Sequence, residues 1–254
     1  MAETVRALLL IALGAVTPDG FEDALRRAWR AGDAVALQRA ADAAGLGGLA
    51  RLAEGTRADR LAALAAAGLR DDGLLLIDAI ANLAGSRDQD TARAAARTAR
   101  RLLGAATRDA LEALDLPRDA LEGAAARLLA VCGRRDAPSA ARIDALFALA
   151  AFDRLSGQVV ALPCATLASI DPDATFRLAA VVVRSAGGAE VRADLARALA
   201  VDPDAEVAAQ AALALCRLDA IDRDAPRVAE LQRADLPPPL AADLRSCLRG
   251  KSRR

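Results

Sequence analysis

Asp171-Pro172-Asp173-Ala174 and Asp202-Pro203-Asp204-Ala205 open two copies of one pattern, 31 residues apart. The stretch from Asp171 to Leu218 decides the fold. A short carboxylate can accept from the orphan amides of a first helical turn, so Asp171 and Asp202 are expected to be N-caps. A proline in the next position has φ preset for a helix, and its missing N–H costs nothing there. Asp173 and Asp204 then place negative charge at the positive end of the helix dipole. In the first copy Phe176, Ala180 and Val183 follow at helical spacing, and Gly187-Gly188 stops the run. Val191, Leu195, Ala198 and Leu199 mark a second amphipathic helix. In the second copy Val207, Ala211, Ala214, Leu215 and Leu218 repeat the spacing. One such pair cannot bury its apolar face alone, whereas stacked pairs can.

Composition agrees with helices. The chain has 254 residues and is 54% hydrophobic, but only 2% aromatic and without tyrosine. Alanine and leucine dominate; both favour helix, and alanine lets helices approach closely. The expected class is therefore all-α. Charges balance, 34 basic against 34 acidic, which argues against a dedicated nucleic-acid binder with its usual basic excess. Histidine is absent, removing the commonest general base and metal ligand. Cys132, Cys164, Cys216 and Cys247 lack zinc or redox spacing. Cys132 to Cys164 and Cys216 to Cys247 are each about one repeat apart. Equivalent sites on adjacent repeats are expected roughly 10 Å apart, too far for a disulfide. The cysteines are read as small buried hydrophobes.

Along the chain, residues 1–16 read either as a signal peptide or as a first buried helix. Arg6 precedes the apolar run Ala7 to Leu13, Ala12-Leu13-Gly14 resembles a small-x-small cleavage site, and Thr17-Pro18 breaks the run. The export reading is slightly favoured, in the periplasm or cell envelope, over the cytoplasm. The run is too short to span a membrane, and no later segment reaches that length. Residues 17–55 read as an N-terminal helical cap, with Phe21, Leu25, Ala28 and Trp29 on one face and a break at Gly45 to Gly48. Residues 56–250 read as the repeat array, opened by a capping box at Thr56 and Asp59. A helix over Asp72 to Ala84 is expected to turn Leu75, Leu76, Ala79, Ile80 and Leu83 inward. Residues 104–135 do not fit one 31-residue step, and the sequence leaves open whether an insertion or an unpaired helix is the reason. Residues 251–254 are a short basic tail.

The recurring Asp-Pro-Asp turn, followed by an apolar residue and an Ala/Leu-rich helix, resembles short bacterial HEAT-like repeats. The likeness is good over 171–218. It extends to Arg57-Ala58-Asp59-Arg60-Leu61-Ala62-Ala63-Leu64, where Arg60 and Leu61 stand where such repeats often carry an arginine and an aliphatic residue. Asp88 to Leu103 fits more loosely. The resemblance implies an α-α superhelix, a HEAT-like solenoid of five or six stacked antiparallel helix pairs, and binding to another macromolecule. It carries no catalytic residues over.

Chemistry of other kinds is thinly supported. The acid pairs Asp71/Asp72, Asp88/Asp90, Asp171/Asp173 and Asp222/Asp224 all stand at helix starts, where capping explains them. No metal, cofactor or catalytic residue is expected. One stripe stands out: Arg93, Arg97, Arg100 and Arg101 share a helix face and form the candidate surface for an acidic partner. The favoured function is a non-enzymatic protein–protein interaction scaffold whose partner is another protein. The alternative is a helical-repeat nucleic-acid binder using the arginine-rich face.

Overall fold

The computed structural model describes residues 18–249. Those residues form fourteen α-helices and two 3-10 turns, with no strand among them. The helices are α1 (Pro18–Ala31), α2 (Ala34–Ala53), α3 (Arg57–Ala67), α4 (Ile77–Ala84), α5 (Gln89–Ala105), α6 (Arg108–Ala113) and α7 (Arg118–Gly133). They continue as α8 (Ser139–Ser156), α9 (Ala161–Ala168), α10 (Ala174–Arg184), α11 (Arg192–Val201), α12 (Ala205–Arg217), α13 (Pro226–Leu231) and α14 (Pro238–Arg249). No described helix is long and apolar enough to cross a membrane.

Packing sorts the helices into two rows. In one, α1 lies against α3, α3 against α5, α5 against α8, α8 against α10 and α10 against α12. In the other, α2 touches α4, α4 packs on α7, and α7 on α9. Between the rows α4 meets α5, α7 meets α8, α9 meets α10 and α11 meets α12. Alanines fill the seams: Ala92, Ala95, Ala96 and Ala99 of α5 face Ala141, Ala145 and Ala148 of α8 across the first core, all fully or nearly fully buried. Small side chains let the axes approach, which substitutes dispersion contact for the aromatic bulk this chain lacks. Trp29 is half-buried and packs on this core, as its helical spacing suggests.

The irregular stretch 104–135 now has its cause. Helix α6 buries no residue. The flanking contacts bypass it, with α5 on α8 and α4 on α7. It is a short surface helix between α5 and α7. Thr107 caps it, accepting from the amide of Ala110.

Three local expectations change. The break expected over Gly45 to Gly48 is confined to Gly45: its non-helical backbone, with φ near +61°, parts α2 into two helices, and the second already includes Gly47 and Gly48 and runs through Ala53. The segment after Asp72 begins as a 3-10 turn, Gly73–Leu76. Three residues per turn shifts the phase, so the inward set is Leu74, Ile77, Ile80, Ala81 and Ala84, while Leu75 and Ala79 face outward. Gly73 is required there, because a Cβ would collide with the backbone carbonyl of Ala67.

The cysteines are the third correction. Cys132 pairs with Cys164 and Cys216 with Cys247, their Cα atoms 5.8 and 6.3 Å apart. The 10 Å figure is a distance between helix axes. Each Cα stands about 2.3 Å off its axis, so two cysteines facing each other across a seam come within disulfide reach. The first bond ties α7 to α9, and the second ties α12 to α14.

Closing loops of 32 and 31 residues should stabilise by about 3–4 kcal/mol each. The unreduced protein is expected to take up no iodoacetamide label, and a Cys132→Ala/Cys164→Ala variant to lose stability of that order in urea unfolding.

Candidate functional site

The arginine stripe is divided by the fold. Asp88 caps α5, accepting from the amide of Thr91 at 3.0 Å and from its hydroxyl. With the alanine face turned inward, Arg93, Arg97, Arg100 and Arg101 are all exposed. Arg100, however, donates to Asp144 of α8 at 2.8 Å and lies 4.4 Å from the centroid of the Phe147 ring. Arg97 approaches the same carboxylate at 3.9 Å. Arg93 and Arg101 have no ion pair among the described residues. One of the four cations, Arg100, is thus bonded to the neighbouring helix, Arg97 stands at the edge of the same carboxylate, and Arg93 and Arg101 point outward.

A second arrangement is buried and repeats. Arg142 of α8 reaches Asp171 at 2.6 Å, donates through Nε to the Cys132 carbonyl at 3.1 Å, and stacks 4.2 Å from the Phe176 ring centroid. Arg177 of α10 grips Asp202 with two bonds, 2.9 and 3.1 Å, and donates to the carbonyls of Asp171 and Pro172. Each arginine stands four residues after its helix's N-cap position, Pro138 or Asp173; each aspartate stands two residues before the next cap, Asp173 or Asp204. Asp171 and Asp202 are therefore not the N-caps. Asp173 and Asp204 are, accepting from Thr175 and from Glu206 and Val207. The prolines fall before the helix rather than at its first position. Asp171 and Asp202 accept instead from the amides of Asp173 and Asp204, an Asx turn that frees their second oxygen for arginine.

Earlier in the chain the pattern is incomplete. Arg60 stands four residues after the Thr56 cap and donates to the Gly55 carbonyl. The position two residues before the Asp88 cap is Ser86, which has no carboxylate. The Nε of Arg60 is buried without a partner among the described residues. Asp59 completes its capping box with Thr56 and takes a 2.5 Å bond from Arg26 of α1. That bond holds the Asp59 carboxyl at about 2, against the opposing effect of burial. Burial pushes Asp171 up, but the Arg142 bond, the Asp173 amide and the Arg142 charge outweigh it and leave the carboxyl below its ordinary value.

A cleft lies where the two hydrophobic clusters of the protein meet. Phe176, Ala179 and Ala180 of α10 belong to the first cluster, and Val181 to the second. Beside them the α9–α10 turn, α10 and α11 form a cleft open to solvent, lined by Ile170, Arg177, Val181, Arg184, Arg197 and Val201 among others. Arg184 is 5% exposed. It donates to the Thr166 hydroxyl at 3.1 Å and stands 3.5 Å from Asp194, while its Nε has no partner among the described residues. Burial lowers its pKa; the Asp194 charge opposes this and the Arg197 charge adds to it. The sequence held a sign of this site that our reading passed over. Arg177, Val181 and Arg184 fall at i, i+4 and i+7, a cationic stripe through the Val181-Val182-Val183 run.

Among the described residues, no group of three His, Cys, Asp or Glu side chains is placed to hold a metal ion. Compared with known proteins, the chain matches no family model, no curated protein and no solved structure.

Breaking a buried ion pair leaves one charge uncompensated, so Asp202→Ala should cost about 3–5 kcal/mol, well above the loss of an N-cap. Hydrogen exchange should loosen around α10 to α12 first, since stacked elements couple to their neighbours. A separate expectation concerns acid. Asp59 has a lower pKa folded than unfolded, so its stabilisation is full above about pH 4 and is lost as pH falls toward about 2. It amounts to about 2–3 kcal/mol. Asp59→Asn should flatten that part of the stability-versus-pH curve in urea titrations.

Proposed function

We propose that this chain is a non-enzymatic protein-interaction scaffold, a HEAT-like α-solenoid whose stacked helix pairs present extended surface to a partner protein. One observation carries the reading. The same arginine-to-aspartate link, at the same positions relative to the helix caps, joins α8 to the turn before α10 and α10 to the turn before α12. The arginines stand 35 residues apart and the aspartates 31, yet each link keeps its place relative to the helix caps, which is what a repeat array requires of its junctions. The two-row packing supports it, because each row places successive repeats side by side. The outward Arg93 and Arg101 are the cations on α5 left for an acidic partner. A nucleic-acid grip on this face is the weaker reading, since Asp144 offsets one of the four charges by pairing with Arg100 and the chain has no net basic excess.

We also propose export. Two disulfides favour an oxidising compartment. The segment read as a signal peptide, residues 1–16, lies outside the described residues, as does the basic tail 251–254.

Affinity capture from the source cells, with nuclease added, is expected to recover a protein partner in stoichiometric amount. An Arg93→Glu/Arg101→Glu variant should recover less of it while melting at the same temperature. Recovery of nucleic acid alone, lost on nuclease treatment, would overturn the scaffold reading.

A further inference from the structure

The cleft beside α10 has an unbalanced charge. Arg177, Arg184 and Arg197 line it against Asp194 and Asp202, three cations against two anions. Arg177 and Asp202 neutralise each other through two bonds. Arg184 meets Asp194 only at 3.5 Å and keeps an unpartnered Nε. A buried N–H on a guanidinium is costly to leave without an acceptor, and Arg197, exposed and close by, adds positive charge rather than relieving it. An anion entering the cleft would balance the sum and give the Arg184 guanidinium a closer partner than Asp194.

The walls define the rest of the ligand. Val181 and Val207 are buried at the cleft's sides, and Ala198 lies between them and Val201 on the α11 side. Ile170 and Val201 flank the opening at 80% and 71% exposure, large apolar side chains left in water. The cation is therefore recessed and its surroundings are aliphatic. A phosphate-bearing ligand, strongly hydrated, would lose water to these walls without gain. A carboxylate on a short branched carbon chain matches both parts. An internal acidic side chain would have to bring backbone past Ile170 and Val201 on two sides, whereas a chain end enters with backbone on one side only.

We propose that this cleft receives the C-terminal carboxylate of a partner polypeptide whose last residue is aliphatic, the carboxylate meeting Arg184 and Arg197 and the side chain lying against Val181 and Val201. This rests on the interaction-scaffold reading and names which part of the partner that one site takes. It is independent of the Arg93 and Arg101 face.

Isothermal titration of the full chain tests it with three probes: acetyl-Ala-Leu-Val with a free carboxylate, the same tripeptide as its C-terminal amide, and isovalerate. The free acid is expected to bind about tenfold or more tighter than the amide, the worth of hydrogen bonds to a charged group, and tighter than isovalerate, which lacks the peptide. Arg197→Gln and Val201→Asp change exposed positions, so both should fold and melt as the parent does, and both should weaken the acid about tenfold. Arg184→Gln is measured alongside with its melting curve. Equal binding of acid and amide, or of acid by the parent and both exposed variants, overturns the assignment. Isovalerate binding as tightly as the tripeptide overturns the polypeptide terminus as the ligand. Capture of a partner protein by both parent and Arg197→Gln, with no peptide binding to either, overturns this assignment and leaves the scaffold reading standing.

Discussion

The stack depends on what Asp171 does with its two oxygens. One accepts from the Asp173 amide and shapes the turn that starts α10; the other takes the guanidinium of Arg142 from α8. A single carboxylate therefore sets both where the next helix begins and which earlier helix it lies beside. Asp202 does the same between α12 and α10, with Arg177 bidentate on it and Arg227 donating to its backbone carbonyl at 2.7 Å. Buried ion pairs contribute little net stability against a well-packed apolar alternative, because desolvation offsets most of the attraction. Their value here is registry. Alanine faces are nearly featureless and could slide by a turn at small cost, whereas a guanidinium that misses its carboxylate leaves two charges buried.

The disulfides extend that constraint to the second row. Arg142 also bonds the carbonyl of Cys132, Cys132 is joined to Cys164, and α9, which carries Cys164, leads into the turn that holds Asp171. The end of α7, the start of α8, helix α9 and the entry to α10 are thus closed into one ring of covalent and ionic links. Shear of one row against the other would have to break a member of that ring. With so few aromatic side chains in the core, covalent and ionic fixation at the turns carries work that bulk would otherwise do.

Much of this was legible in the sequence, in an uneven way. The class, the helices and their order followed from period and breaks, because apolar spacing records which face is buried. The capping box at Thr56 and Asp59 was readable because both partners are local. The role of Asp171 was not. Asp-Pro-Asp offers two acids that can cap, and which one does depends on whether a distant arginine claims the other; Arg142 lies 29 residues away in sequence. Arg100 misled for the same reason: Asp144, to which it donates, is 44 residues off. The disulfides were excluded by confusing axis spacing with the spacing of facing residues. Arg184 was overlooked because a lone arginine near a helix end reads as an ordinary dipole partner.

Helix α10 is where these lines meet. It belongs to both hydrophobic clusters, with Phe176, Ala179 and Ala180 in one and Val181 in the other, and its two arginines have different tasks. Near its start Arg177 closes the junction to α12, and at its end Arg184 is buried beside α11 with less than full compensation. A helical packing built only for stability would place a carboxylate at hydrogen-bond distance from every buried guanidinium, as is the case for Arg142 and Arg177. Arg60 departs from that rule where Ser86 replaces the acid, and its Nε is enclosed without a cleft among the residues lining any of the described pockets. Arg184 departs from it where the two clusters part and solvent enters. The Nε of each is itself enclosed, so what sets Arg184 apart from Arg60 is that the rest of its guanidinium lines an open cleft with Arg197 beside it, the feature on which the proposed carboxylate site rests.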